Sequence, residues 1–200
     1  MDILILVLAI LAGIAFLNAQ EQKKRIALLG HHLHQYQIET LMEKLSDGYL
    51  RALGEEDPER REQIWSMLAT AEQAIAQQFG RFAADFARVD AAQARISTLA
   101  IALPGASRWW PGASFDAREA FRLHAAGIAD AAASQGRSLR DKAFTLSAEL
   151  FLMQHTCHWF CRSRAIASAR LLRRHQTTHE QVLEAVTPRT RDAYRALTGV

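Results

Sequence analysis

The densest chemistry in the sequence is His155, Cys157, His158 and Cys161. On an α-helix, Cys157, His158 and Cys161 fall within about 100° of arc, so two thiolates and an imidazole could converge on zinc. Strong zinc signatures usually set paired ligands on turns, and a fourth ligand would have to come from elsewhere. The plainer reading is that the cysteines are small core residues, as unpaired cysteines usually are. His175 and His179 have the i, i+4 spacing of a helical metal pair, but a cap at Thr177 would break the helix between them. His31, His32 and His34 read as a polar face next to an apolar segment, or as a pH or metal sensor, since histidine titrates near neutrality. Glu149 is a lone carboxylate in an apolar stretch and is expected to face solvent or pair with an arginine. No phosphate-binding loop, dinucleotide fingerprint, nucleophile elbow, HExxH or EF-hand pattern is present. These negatives point to a non-enzyme and imply no cofactor.

Charge is the second signal. Twenty-four Lys and Arg face twenty-one Asp and Glu, a formal +3. From Cys157 onward, eight Arg face only Glu180, Glu184 and Asp192, a local +5. Arg162, Arg164, Arg170, Arg173 and Arg174 form its basic stretch, where an anionic partner would bind. Nucleic-acid binding would need this stripe exposed and flanked by base-reading groups, and the nearby Trp159 and Phe160 read as buried. A nucleic-acid tether is therefore the weaker reading. Anionic lipid headgroups are a cheaper partner for a chain already at a membrane. The plain alternative is ion pairing with acidic faces of the same bundle. Two cysteines are too few for a disulfide scaffold and fit a reducing compartment.

These residues must be held by helices. Half the chain is hydrophobic with only four Pro and ten Gly, and Ala, Leu, Arg, Glu and Gln favour helix. Ile3 to Leu17 carries no polar side chain. Fifteen helical residues rise about 22 Å, short of a roughly 30 Å hydrocarbon core, and local thinning or snorkelling of Lys23 and Lys24 makes up the difference. A helix apolar on every face must be buried in protein or in lipid. The sequence is read as a transmembrane anchor over residues 1–19. A signal peptide lacks its positive n-region here and would cleave poorly after Leu17-Asn18-Ala19. Lys23, Lys24 and Arg25 lie on the C-terminal flank, which places the N-terminus outside and residues 20–200 in the cytoplasm.

Helical periodicity predicts long helices at about 22–53, 58–103, 116–135 and 138–175, then two short ones. The first is continuous with the anchor or broken near Gly30. The second carries an almost unbroken three-four stripe, including Phe79, Phe82 and Phe86, of the kind seen in a coiled coil or long bundle helix. Its end at Pro104 opens the loop PGASRWWPGAS. Asp116 with Glu119, and Thr177 with Glu180, read as capping boxes, Gly136 as a helix end, and Thr187-Pro188 as a helix start. If the first two long helices are antiparallel, that loop returns to bilayer level. Trp109 and Trp110, beside Arg108, would then sit at the membrane–water interface, the alternative being that both rings cover the bundle end.

The expected architecture is all-α: a single transmembrane helix followed by an elongated antiparallel helical bundle. The expected function is a scaffold or adaptor at the cytoplasmic face of a bacterial inner membrane, bound to the bilayer and to a protein partner or second copy through helix faces. The alternative is a metal or ligand sensor built on Cys157, His158 and Cys161.

Overall fold

The structure, a computed structural model, describes residues 2–134 and 138–199. Among these it holds nine α-helices and one two-stranded sheet. The expectation at Gly136 lies outside the described residues. Helix α1 spans Asp2–Leu33, α2 Ile38–Gly54 and α3 Pro58–Phe86. Strand β1 (Arg95–Ser97) and strand β2 (Ser114–Asp116) flank the four-residue helix α4 (Ala106–Trp109). The series closes with α5 (Ala117–Ala133), α6 (Leu139–Cys161), α7 (Arg164–His175), α8 (His179–Ala185) and α9 (Pro188–Thr198).

Helix α1 passes straight through Gly30, where a glycine costs a helix about 1 kcal/mol but leaves its ladder intact. The break falls instead at residues 34–37. There the Tyr36 hydroxyl donates to the Asp85 carboxylate and the Gln37 amide donates to Gln78 Oε1 at 2.7 Å. The corner between α1 and α2 is thus fastened to α3. Tyr49 against Trp65 and Tyr36 against Phe82 show that α2 and α3 run antiparallel.

Helix α3 begins as its sequence dictates. Asp57 caps it by accepting from the Glu59 amide at 3.0 Å, with Pro58 in the first turn. Its stripe is the centre of the bundle. Phe79, Phe82 and Phe86 are fully buried, and Phe121 of α5 lies 4.9–6.3 Å from all three rings. Phe160 of α6 reaches Phe86 at 5.7 Å. Such a contact set supplies both area and ring geometry.

The helix does not reach Leu103; it stops at Phe86. Asp90 Oδ1 accepts from the amides of Ala92 and Gln93, making a turn that competes with the helix. Beyond it Ile96 is buried from an extended strand, its backbone paired with Phe115 in the antiparallel sheet. The three-four spacing of Val89, Gln93, Ile96, Ala100 and Leu103 therefore continues the helical pattern by coincidence.

The predicted helix over 138–175 is likewise two. Arg162 leaves helical geometry, and Ser163 caps α7 through the Ile166 amide. Gln176, at φ +53, ends α7. The capping box that follows is Thr178 with Gln181, one residue on from the predicted pair. Asp116 caps α5 through the Arg118 amide. Thr187 and Pro188 open α9 as expected.

Phe82→Ala is expected to remove about 3–5 kcal/mol of stability, measured by urea unfolding of the detergent-solubilised chain. Met67→Ala, on the exposed face of the same helix, should change it little. Similar unfolding midpoints for the two variants would remove Phe82 from the centre of the core.

Candidate functional site

Two groups of side chains stand out, a collar where α1 leaves its apolar stretch and a buried histidine core. The collar is built by polar residues that immediately follow the apolar run. Asn18 Nδ2 donates to the Ala102 carbonyl at 2.9 Å. The Glu21 carboxylate accepts from the Gly105 amide at 3.0 Å and pairs with Arg25 at 2.8 Å. Arg25 also donates to the Phe160 carbonyl and lies over its ring at 5.5 Å. From the other side, Trp159 Nε1 donates to the Ser97 carbonyl at 2.9 Å, and the Ala165 amide to Ala100. The segment 97–105 is thus clasped between α1, α6 and α7. Gly105, at φ +70, makes the turn into α4, and a Cβ there would strike the Trp109 ring.

This clasp leaves an apolar rim. Ile101, Trp109 and Trp110 are 62%, 74% and 56% exposed, with Arg108 exposed beside them. The tryptophans do not cover the bundle end. Although α3 is shorter than predicted, the chain still returns to the level of Asn18 and Glu21, through the strand and loop after Asp90. Lys23 and Lys24 are exposed next to it, while Arg25 turns inward to hold the clasp.

The five basic-stretch arginines divide their contacts. Arg162 donates to Gln22 on α1, Arg164 lies 5.9 Å over Trp159, and Arg170 donates to His158 Nδ1 at 3.1 Å. Arg173 and Arg174 are exposed. Among the described residues none of the five lies within ion-pairing distance of a carboxylate, so pairing inside the bundle does not account for them.

Cys157, His158 and Cys161 point to different neighbours. Cys157 Sγ lies 3.8 Å from Met153 Sδ and packs against the main core, as does Cys161. Burial raises the Cys157 thiol and pushes Cys161 up to about 11, so both are thiols at neutral pH. Burial and then Arg170 and Arg174 lower His158 to about 4. Among the described residues no three His, Cys, Asp or Glu side chains are grouped as metal ligands. His175 and His179 are separated by the turn at Gln176. His175 stacks on Phe151 at 3.8 Å and meets Gln154. His31, His32 and His34 form a ring cluster at the end of α1, where His32 touches Phe86.

The second group was not visible as a unit in the sequence. The Thr156 hydroxyl donates to the Leu152 carbonyl, so it accepts from His124 Nε2 at 2.9 Å and from the Tyr194 hydroxyl at 3.0 Å. That assigns the proton of neutral His124 to Nε2. His155 Nε2 meets Ser168 Oγ at 3.1 Å, and its ring lies 4.3 Å from that of His179. Burial lowers His124 to about 3. Burial, then repulsion from His179, His124, His158 and Arg164, lowers His155 to about 2. Glu149 is also fully buried, raised by desolvation, and accepts from the Thr187 amide at 3.0 Å, capping α9. It neither faces solvent nor meets an arginine. Gly127 leaves it room, since a Cβ there would collide with Glu149 and Thr190. No spacing rule links these residues; only the antiparallel placement of α5, α6 and the last helices brings them together.

No family model, curated protein or solved structure matches the chain. Its class follows from the fold: an all-α protein with, among the described residues, one helix long and apolar enough, by length and composition, to cross a membrane.

Two outcomes are expected. In full-length protein reconstituted with lipids brominated near the headgroup, quenching of tryptophan emission should be strong and should fall sharply in the Trp109→Phe, Trp110→Phe double variant. Equal quenching in both would exclude rim contact with lipid. The histidine core sets a pH dependence. The folded pKa values of His124 and His155 lie below the unfolded value of about 6.5, so the unfolded chain gains protons first as pH falls. Their contribution is complete above about pH 6.5 and is lost progressively toward pH 3, at up to about 1.4 kcal/mol per pH unit for each ring. Urea titrations from pH 7 to 4.5 should show that loss, with a smaller slope in His124→Gln. An unchanged slope would contradict the assignment.

Proposed function

We propose that the chain is a membrane-anchored helical scaffold or adaptor, a non-enzyme that holds partners at the cytoplasmic face of a bacterial inner membrane. Its N-terminus lies outside, and Lys23 and Lys24 retain the folded domain inside. The observation that carries this reading is the continuity of α1. Its Ile3–Leu17 surface is exposed and apolar, its Asn18–Arg25 surface forms the collar, and Leu29 enters the core. A flexible linker would let a domain roam, whereas a continuous helix fixes its height and tilt. The exposed Trp109 and Trp110 add a second point of lipid contact, and the exposed Arg108 beside them and Arg162 on Gln22 suit an anionic leaflet. The groups with perturbed protonation favour a structural role: His124, His155 and Glu149 are sealed from solvent, at 0–1% exposure, so a substrate would have no route to them.

A C-terminal fusion to a reporter that matures only in the cytoplasm should be active, and a reporter active only outside should be silent. The reverse pattern would overturn the orientation. Recovery of the chain in the soluble fraction, with a new N-terminus near Gln20, would replace the anchor with a cleaved leader.

A further inference from the structure

Away from the collar and the histidine core, a cleft of about 710 Å³ lies between α2, α6 and α7. Its floor is apolar: Met42 and Tyr49 below, with Leu50, Leu53, Phe144 and Phe151 along it. Leu50 is 72% exposed, Phe144 56% and Leu53 44%, and Arg140 lies 5.6 Å over the Phe144 ring. One wall carries Glu39, Glu43 and Asp47, spaced i, i+4, i+8 so that the three carboxylates form a straight line along α2. Among the described residues none of the three lies within 4.0 Å of a cation. The opposite wall, on α6, carries no carboxylate; Arg140 lies over its Phe144 ring, and Arg174 and His175 of α7 stand at one end.

We infer that this cleft binds a basic amphipathic helix of a partner protein. The inference rests on the scaffold reading and names the chemistry of the partner. From Glu39 to Leu53 the wall is about 21 Å long, or four helical turns. A helix laid along it would set Leu or Phe at i, i+3, i+4 and i+7 on Leu50, Leu53, Phe144 and Phe151. Lys or Arg on its adjoining face would meet the Glu39–Glu43–Asp47 line. The acidic wall selects the partner's charge: an acidic helix would set like charges against three carboxylates, and an anionic lipid surface would be repelled by the same line. A second copy of this chain is the remaining occupant, and the test separates it.

The full chain is placed in zwitterionic lipid nanodiscs. Binding is read as fluorescence anisotropy of a labelled helix, roughly 18 residues long, of Leu, Ala and Lys. Its twin with Glu in place of every Lys, and discs without protein, serve as references. The basic helix should bind at least about tenfold more tightly than its twin, weakening as salt rises. Glu43→Lys with Asp47→Lys should weaken it about tenfold, and so should Leu50→Ser; all three side chains are exposed, so the fold should be kept, as checked by circular dichroism. Equal affinity for the two helices, or unchanged affinity in both variants, overturns the inference. A particle mass that shows two copies per assembly in the wild type and one in Leu50→Ser also overturns it, in favour of self-association. Loss of the groove with a cytoplasmic C-terminus leaves the scaffold reading standing, and binding with the domain outside does the reverse.

Discussion

Everything in this molecule hangs on one continuous helix with two unlike halves. The first half of α1 exposes apolar side chains on every face, which water does not tolerate over fifteen consecutive residues. The second half presents Leu28, Leu29 and Leu33 to the bundle core. Between them, Asn18, Glu21 and Arg25 spend their polar groups on the backbone of 102–105 and Phe160. Those bonds tie the middle of the helix to the folded domain. The irregular segment after Asp90 is ordered because α1, Trp159 and α7 hold it, and its tryptophans face outward for the same reason.

Behind the collar, the bundle solves a second problem, that of burying polar groups. Glu72 is held by Tyr49 at 2.8 Å and Lys142 at 2.5 Å, joining α2, α3 and α6. Glu149 caps α9, and Thr156 collects His124 and Tyr194. Each is an interior polar group whose partner comes from a distant element, so that alternative packings of these Ala-rich helices would strand it. Removing one partner of the Glu72–Lys142 pair would cost more than the pair contributes, since the survivor would stay buried. The helices are similar in their apolar surfaces and are distinguished by these bonds. His124, His155 and Glu149 are sealed in the interior, and the rim, Arg173, Arg174 and the cleft along α2 lie at the surface.

What could be read in the sequence was what is local. The apolar run to Leu17, the cap at Asp57 with Pro58, the Phe79–Phe82–Phe86 stripe and the Thr187-Pro188 start depend on neighbours within a turn or two. The stop at Phe86 does not, because the Asp90 turn and the pairing of Ile96 with Phe115 win over a spacing that still reads as helix. The break at Arg162 is set by Ser163 in competition with good helix formers on both sides. Of the candidate residues, Trp109 and Trp110 are exposed beside the segment that Asn18 and Glu21 hold, which the chain reaches through a strand and a loop rather than a long helix. Cys157, His158 and Cys161 share a helix face as expected, but that face is divided among Met153, Arg170 and the core. His124, Thr156 and Tyr194 had no legible link, since nothing in one dimension says that α5, α6 and α9 meet.

Continuity of α1 across the collar is the central claim, and amide hydrogen exchange of the full chain in lipid nanodiscs measures it directly. Amides open only as fast as the helix around them unfolds locally. Residues 18–29 should exchange as slowly as the middle of α3, around Ile75 and Phe79, with no faster stretch between the apolar run and Leu29. Rapid exchange confined to residues 18–27, with protected segments on either side, would mean a flexible tether between anchor and domain. The fixed height and tilt argued from the collar would then be contradicted.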